Sequence, residues 1–352
     1  MLALLVVSTG TAQQLPALSP DARPSFAEWL EGVRTEARAR GIREEIIRQA
    51  LADVELLPVV VERDQNQPEF VLTVDEYLTR RLTPSVIRNA RELLGSHRDV
   101  LRRVSADYGV TPDVLIAVWG LESTFGRFAG VRPTIPTIAT LAYEPRRATF
   151  FRGELFSALD IVNRGDIELA SMRGSWAGAM GQPQFMPSAY LKYAVDFDKD
   201  GRKDIWRSLP DVFASTANYL KEHGWTKGEA WGREVRVPKE IEALATAPLA
   251  RDAGCLAVKN MSVAQPLGVW QRLGVTLKNG AALPKATMDA SLVQAGARSF
   301  LVYRNYEALL AYNCAHTYAL SVGLLADQIA SPAPRRTPPP VRRPVKKPAR
   351  VG

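Results

Sequence analysis

The segment TPDVLIAVWGLESTFG places one glutamate, Glu122, at the end of an otherwise apolar helical run. Thr111 suits an N-cap and Pro112 suits the first helical position, so the sequence predicts a helix that starts here. At about 100° per residue, Leu115, Val118 and Glu122 fall on one face of that helix. The pattern therefore predicts a carboxyl group on an apolar face, which limits how this part of the chain can pack.

Burial disfavours the ionised form of a carboxyl group and raises its pKa. A carboxyl that stays protonated near neutral pH is what a general acid needs, and Glu122 is therefore a candidate catalytic residue. The alternative is a structural glutamate satisfied by backbone donors or an arginine, and this segment alone does not decide between the two.

The rest of the body also shows mainly helical spacing. The stretch LLPVVVERDQNQPEF is bounded by prolines and is predicted to be extended or irregular. The fold class predicted from these patterns is mainly α, with a short strand and a smaller, turn-rich subdomain. Helices are expected at residues 25–39, 42–53, 84–108, 150–164, 210–223 and 312–330, a strand at 234–238, a core at about 84–225 and the subdomain at about 228–310.

Charge is concentrated at one end of the chain. The net charge is +8, and seven of these charges lie in the proline-rich segment 331–352, which holds no acidic residue. The rest is nearly neutral, so no nucleic-acid partner is expected. The segment is predicted to be a disordered tail, either a solvated end or a polycation that contacts an anionic envelope surface. Residues 1–12 resemble a secretory signal peptide, the alternative being a frayed N-terminus.

A second polar and aromatic segment, GSWAGAMGQPQFMP, begins at Gly174. Its small residues allow a ligand to approach the backbone closely. Neutral hydrogen-bonding groups are offered by Ser175, Gln182 and Gln184, and sugar-stacking faces by Trp176 and Phe185. Such a composition suits a carbohydrate groove, and the alternative is a tight helix–loop packing motif. No zinc-helix, P-loop, dinucleotide-binding or serine-elbow motif competes with it.

The run DFDKDG predicts a calcium-type loop, because its three aspartates stand at the first, third and fifth positions of an EF-hand. Arg207 takes the position where a bidentate glutamate is expected, so Asp211 is the candidate that closes the site. A structural role for Ca²⁺ is predicted, the alternative being a plain acidic turn, and no cofactor is expected for the chemistry. The candidate metal ligands are Asp196, Asp198, Asp200, Arg202 (through its backbone carbonyl) and Asp211.

Together these segments resemble the B-type lytic murein transglycosylases (membrane-bound lytic transglycosylase B, glycoside hydrolase family 103). The matching strings are DQNQPEF, VWGLESTFG, GSWAGAMGQPQFMP, VDFDKDGRKDIW, ANYLKEHGW and YN-x3-TYALSVGLL. The resemblance runs over about residues 25–330. It implies a lysozyme-like helical core within a multi-part helical body. It also implies cleavage between N-acetylmuramic acid and N-acetylglucosamine with formation of a 1,6-anhydromuramoyl end.

The resemblance also assigns residues, position by position. Glu122 matches the family's single acid/base. The residues that match substrate-contacting positions are Ser175, Gln184, Tyr219, Tyr312 and Asn313. Peptidoglycan strands are the implied partner, wall synthases are candidate partners, and a periplasmic monomer of a Gram-negative bacterium is expected, either soluble or associated with the envelope surface.

Two alternatives stay open at this point. One is a lysozyme-type hydrolase acting on the same polymer, and the other is a non-catalytic wall-binding protein. The state of the two cysteines is also open, because Cys255 and Cys314 can form a disulfide or remain free buried thiols.

Overall fold

The structure is a computed structural model that describes residues 23–65, 73–241 and 255–331. The predicted signal peptide, nearly all of the basic tail and the greater part of DQNQPEF lie outside these ranges. Most described residues are helical, as predicted. The helices are α1 (Phe26–Ala39), α2 (Glu44–Leu51), α3 (Pro58–Gln65), α4 (Val74–Arg81), α5 (Pro84–Ser96), α6 (Arg98–Tyr108), α7 (Pro112–Ser123), α8 (Thr134–Tyr143), α9 (Ala148–Arg164), α10 (Pro187–Tyr193), α11 (Leu209–Glu222), α12 (Leu256–Lys259), α13 (Leu267–Arg272), α14 (Arg304–Tyr312) and α15 (His316–Ala330).

The helix boundaries follow from local sequence. Ser25 and Thr73 each cap a helix through a reciprocal box with the glutamate three residues later. Gly109 and Gly165 end their helices in the left-handed region, which glycine adopts without steric cost. Thr111 takes the N-cap position of α7, as predicted, although its side chain makes no capping hydrogen bond there.

Residues 58–65 of the stretch predicted to be extended or irregular instead form the helix α3, and residues 66–70 lie outside the described ranges. Its proline occupies the start of the helix, where the missing N–H costs nothing. Val60 is fully buried, and the carboxylate of Asp64 pairs with Arg146 and Arg147. In the helical form, Val60 and Asp64 thus make contacts with residues far away in the chain. The local sequence pattern carries no information about these contacts.

Two helical cores position the rest of the molecule. The first surrounds α7, whose residues from Val114 to Trp119 are all buried, and it includes Phe213 and Leu320. The second joins α1 and α2 to α8, α9 and α10. The sequence analysis predicted one apolar face for α7, but the helix is buried on nearly every side. Apolar contacts surround it up to the turn that carries Glu122.

The turn-rich subdomain contains a five-stranded antiparallel sheet, whose strands are β3 (Gly232–Arg236), β4 (Gln265–Pro266), β5 (Thr276–Leu277), β6 (Asp289–Ala295) and β7 (Arg298–Val302). Their order in the sheet is β4-β6-β7-β3-β5. Leu292 and Leu301 are paired and belong to a core with α13, whereas the next pair, Val293 and Phe300, belongs to the α7 core. Both faces are thus covered, so the strands lack the polar alternation that identifies a half-exposed strand. Two further short strands, β1 (Arg132–Pro133) and β2 (Arg173–Gly174), pair with each other outside this sheet.

The last helix begins at His316 rather than at Tyr312, which ends α14. A disulfide between Cys255 and Cys314 fastens the short corner between the two helices to α12, with the Cα atoms 5.8 Å apart. The open alternative of free thiols is therefore wrong. No single described helix is long and apolar enough to cross a bilayer; α14 and α15 qualify only as a pair, bent by 119°.

Candidate active site

Glu122 lies in the last turn of α7, where a strained turn ends the helix. Thr124, Phe125 and Gly126 follow with φ values of 53°, 59° and 78°, three consecutive left-handed residues of which only the last is glycine. The Phe125 ring folds back so close to Gly120 that a Cβ there would lie 2.5 Å from it. The turn thus ends the buried helix immediately beyond the glutamate.

The backbone of this turn is held by a buried hydroxyl. Ser123 Oγ donates to the carbonyl of Trp119 at 2.9 Å and accepts the Gly126 N–H at 3.0 Å. The carboxyl of Glu122 is therefore carried by a backbone that is fixed on both sides. Such fixation is what a group that transfers a proton at a defined atom requires.

Glu122 is half-buried, and its carboxyl group is strongly desolvated. Burial raises its pKa to about 7, while the hydroxyl of Tyr318 and the positive charge of Arg81 act in the opposite direction. The partial negative charge at the carbonyl end of α7 disfavours an anion at the same place. Among the described residues no second carboxylate contributes to this pKa. Glu122 is thus half-protonated near neutral pH, as the sequence analysis expected from its apolar setting.

Three tyrosines form one side of the site. Tyr318 is buried on α15, and the charge of Glu122 raises its pKa and that of Tyr312, after the larger effect of burial. Tyr312 donates its hydroxyl to the Pro183 carbonyl at 2.7 Å, and its ring lies 4.8 Å from that of Tyr219. Tyr312 and Tyr219, which the resemblance assigns to substrate contact, are thus direct neighbours. We call Tyr219, Tyr312 and Tyr318 the tyrosine wall.

Tyr318 and Arg81 were not predicted from the sequence as site residues, although both affect the pKa of Glu122. Both lie far from Glu122 in the chain, and Tyr318 stands on a different helix from Tyr312 although only six residues separate them. Tyr318 lies within the string YN-x3-TYALSVGLL, so a position-by-position comparison with the family could have identified it. Asn313 is exposed at the end of α14, next to the tyrosine wall, and its backbone N–H donates to the Leu309 carbonyl.

The segment from Gly174 to Pro187 folds as a series of tight turns. Ser175 Oγ accepts the N–H groups of Ala177 and Ala179 at 3.3 and 3.2 Å, and its own hydroxyl proton remains available to a ligand. The side-chain N–H of Gln184 donates to the Gly181 carbonyl at 2.7 Å, with φ of 55° at Gln184. Both residues are partly exposed, so each combines a structural contact with an accessible polar edge.

Two other residues of this segment are structural. Gln182 is buried, accepts the indole N–H of Trp119 and donates to the Trp206 carbonyl, each at 2.7 Å. Phe185 is buried against the rings of Tyr219 and Tyr312, so it supports the tyrosine wall from behind and offers no sugar face. Gln182 therefore joins the helix of Glu122 to the loop that follows α10.

That loop and the first turn of α11 contain the predicted metal ligands. Carboxylate oxygens of Asp196, Asp198 and Asp211 lie within 4.8 Å of one another, which suits a hard cation with oxygen ligands. Asp211 is fully buried, and burial together with the charge of Asp198 raises its pKa to about 6. Its two oxygens accept the N–H groups of Phe197 and Asp204, which orient it toward the other aspartates.

The remaining predicted ligands lie on the same loop but outside this group of three. Asp200 accepts the N–H of Arg202 at 2.9 Å, and its own N–H donates to Asp196 at 3.2 Å. Arg207, at the position where an EF-hand has glutamate, is exposed. Asp211 therefore approaches the carboxylates of Asp196 and Asp198 from the first turn of α11, and its role as the closing ligand stays a prediction.

Comparison with known proteins identifies relatives across this whole body. The profile of the family described as transglycosylase SLT domain matches residues 25–327. Membrane-bound lytic murein transglycosylase B of Escherichia coli (strain K12) is 31% identical over 260 residues, which is 72% of this chain and 66% of that protein. The chain thus spans slightly less than two thirds of this relative's length.

Solved structures are similar over a larger share. SltB3 from Pseudomonas aeruginosa in complex with NAG-anhNAM-pentapeptide is 43% identical, with a TM-score of 0.79, over 87% of this chain and 79% of that one. The Escherichia coli lytic transglycosylase Slt35 in complex with calcium is 26% identical, with a TM-score of 0.70, over 88% and 93% of the two chains. The predicted helical, lysozyme-like fold class is confirmed, and the chain belongs to the transglycosylase SLT domain family.

Proposed function

We propose that this protein is a lytic murein transglycosylase that cleaves the bond between N-acetylmuramic acid and N-acetylglucosamine and leaves a 1,6-anhydromuramoyl end. The observation that carries the proposal is Glu122, a lone carboxyl whose pKa is raised to about 7 beside the tyrosine wall. The relatives named above support it, since each is described as a lytic transglycosylase or crystallised with an anhydromuramoyl ligand.

A lone carboxyl restricts the chemistry that the site can perform. Glycosidases commonly use two carboxyl groups, at about 5–5.5 Å for retention and about 6.5–9.5 Å for inversion. A second carboxylate at such a distance in this desolvated site would contribute to the pKa of Glu122, and none does among the described residues. The second reacting group is therefore assigned to the sugar itself.

In the proposed reaction, Glu122 donates its proton to the glycosidic oxygen as the bond to the anomeric carbon breaks. The resulting carboxylate then accepts the proton of the muramic acid 6-hydroxyl while that oxygen bonds to the anomeric carbon. Burial favours the protonated start of this cycle, and the Tyr318 hydroxyl together with Arg81 stabilises the ionised state in its middle. Atoms balance without added water, so the product is one water lighter than a hydrolysis product.

Mass spectrometry of muropeptides released from purified sacculi tests this proposal. Wild type is expected to release anhydro products, and Glu122→Gln is expected to lose activity by a factor of about 10²–10⁴, the usual contribution of a general acid. Glu92→Gln, a substitution of an exposed glutamate on α5, is the matched control. Products with reducing ends would instead indicate a lysozyme-type hydrolase. If the wild-type protein releases no muropeptides, the alternative of a non-catalytic wall-binding protein is favoured.

We also propose that the aspartate loop binds Ca²⁺ as a structural ion. The support is the oxygen-only donor set, the burial of Asp211 and the calcium complex of the relative Slt35. Asp196, Asp198 and Asp211 would hold the ion, with Asp200 and the Arg202 carbonyl as further candidates. An increase in Tm with Ca²⁺ over EDTA, larger than with Mg²⁺, is the expected result, and equal Tm values would contradict it.

The proposed location is the periplasm, with peptidoglycan strands as the partner. A disulfide-bonded cysteine pair suits an oxidising compartment. Wall synthases, a monomeric state and contact of the tail with an anionic surface remain predictions from the sequence. Alkylation of the native, unreduced protein from cell fractions checks the compartment, since free thiols at both cysteines would contradict export.

A further inference from the structure

Gln182 is buried against the turn that carries Glu122, and it is held from two sides. Its backbone N–H donates to the Ile205 carbonyl at 2.9 Å, and its side-chain N–H donates to the Trp206 carbonyl at 2.7 Å. Both carbonyls belong to the loop between α10 and α11. From the other side, its amide oxygen accepts the indole N–H of Trp119 on α7 at 2.7 Å. The residue thus fixes α7 to that loop.

The amide oxygen of Gln182 contacts the chain on both sides of Glu122. Before the glutamate it binds Trp119, whose carbonyl accepts the Ser123 hydroxyl at 2.9 Å. After the glutamate it lies against Gly126, where a Cβ would be only 2.6 Å from this oxygen. The N–H of Gly126 in turn donates to Ser123 Oγ at 3.0 Å. A shift of this one amide therefore displaces the residues on both sides of Glu122.

The opposite side of the site depends on the same segment. Pro183 follows Gln182 directly in the chain, and its carbonyl accepts the hydroxyl of Tyr312 at 2.7 Å. Tyr312 belongs to the tyrosine wall, whose position relative to α7 is therefore also set through this pair of residues. One buried side chain thus links the helix of Glu122 to the residue that holds Tyr312.

The two side-chain partners of Gln182 require an amide at this position. An indole N–H only donates and a backbone carbonyl only accepts, so the group between them must offer an acceptor and a donor at once. A carboxylate lacks the donor, and an apolar side chain lacks both. Without the amide, both partners stay buried without a hydrogen bond, which the turn relieves only by moving or by admitting water.

We propose that Gln182 is a positioning residue that holds Glu122 and Tyr312 at the separation that proton transfer to the glycosidic oxygen requires. The inference rests on the proposed function and extends it to a buried residue that acts through Trp119 and Pro183. A displacement of a catalytic group by about 1 Å costs roughly a factor of 10² in rate. The effect of losing the amide therefore falls on kcat rather than on KM.

The test uses Gln182→Met, which keeps the length of the side chain and removes both of its hydrogen bonds, so the space stays filled. The matched control is Gln271→Met on α13, where a partly buried glutamine accepts the Leu283 N–H at 2.6 Å in the sheet subdomain. On soluble glycan strands, at a temperature where all variants are folded, Gln182→Met is expected to lose about 10- to 100-fold in kcat, with KM changed by less than about twofold. The control is expected to keep the wild-type kcat. A Gln182 variant with a lower Tm but the wild-type kcat, or with a loss confined to KM, overturns the proposal.

A second measurement is independent of turnover. In protein with isotope-labelled glutamate, the carboxyl signal of Glu122 is the one that Glu122→Gln lacks, and NMR follows its ionisation with pH. The titratable and charged groups that act on this carboxyl are Tyr318 on α15, Tyr312 on α14 and Arg81 on α4, and none of them is changed in the variant.

The pKa of Glu122 is expected to be about 7 in wild type and lower in Gln182→Met, because a loosened turn admits water to the carboxyl. A lower pKa supports the positioning role even if wild type releases no product, an outcome that would refute the proposed function alone. An unchanged pKa in Gln182→Met refutes the positioning role.

Discussion

Replacing Glu122 by glutamine is expected to stabilise the fold in a pH-dependent manner. The pKa of this carboxyl is raised from about 4.5 to about 7 on folding. A group with a raised folded-state pKa binds its proton more tightly in the native state, so wild type loses stability as pH rises from about 4.5 to about 7. Glutamine does not ionise, so the variant lacks this loss while it keeps all other titrations.

The magnitude follows from the two pKa values. One pKa unit corresponds to about 1.36 kcal/mol, and integration between pH 5 and pH 8 gives a loss of about 2.5 kcal/mol for wild type. Because Glu122 keeps some contact with solvent, this figure is an upper bound. With an unfolding entropy of about 2.1 cal/mol/K per residue over roughly 300 residues, the variant should gain up to about 4 °C in Tm relative to wild type over this pH range.

Thermal unfolding of both proteins at pH 5, 6, 7 and 8 measures the effect. The difference in Tm should widen with pH and level off above pH 7, whereas Glu92→Gln should run parallel to wild type. A Tm difference for Glu122→Gln that stays constant across the range would refute a desolvated carboxyl at this position.

Three further predictions concern activity and stability. The kcat/KM on sacculi should fall as pH rises above about 7, because Glu122 must begin the reaction protonated. Tyr318→Phe should move this fall to higher pH, since the Tyr318 hydroxyl lowers the pKa of Glu122. An alkaline limb at the same pH in the variant would contradict that role of Tyr318. Ca²⁺ at 100 times its Kd should stabilise wild type by about 2.7 kcal/mol and Asp211→Asn by much less, and equal Tm increases would exclude Asp211 as a ligand. Cys255→Ser/Cys314→Ser should unfold at lower denaturant concentration, since a crosslink over 59 residues is worth about 4 kcal/mol in the loop-entropy account, and an unchanged midpoint would show that the bond adds nothing.

The sequence predicts a site residue well where an ionisable side chain stands within a locally periodic apolar segment. Glu122 was identified because it interrupts an apolar run, and desolvation dominates its pKa in the structure. The failures share one cause. The α3 helix and the sheet pair Leu292 and Leu301 owe their form to contacts with distant segments, which a local pattern does not contain. Gln182 looked like a ligand-binding amide for the same reason, because its two partners lie 63 and 24 residues away.

The order in which the site's parts occur along the chain has a consequence for biosynthesis. Glu122 lies in the first half of the chain, but Tyr312 and Tyr318 come from α14 and α15 at the end of the described body, and α15 packs directly on α7. A growing polypeptide exposes its segments in order from the N-terminus. The desolvated surroundings of Glu122 therefore do not exist until the last helix has emerged and docked. An enzyme that degrades the wall, as proposed for this protein, therefore lacks a complete active site until α14 and α15 have been synthesised.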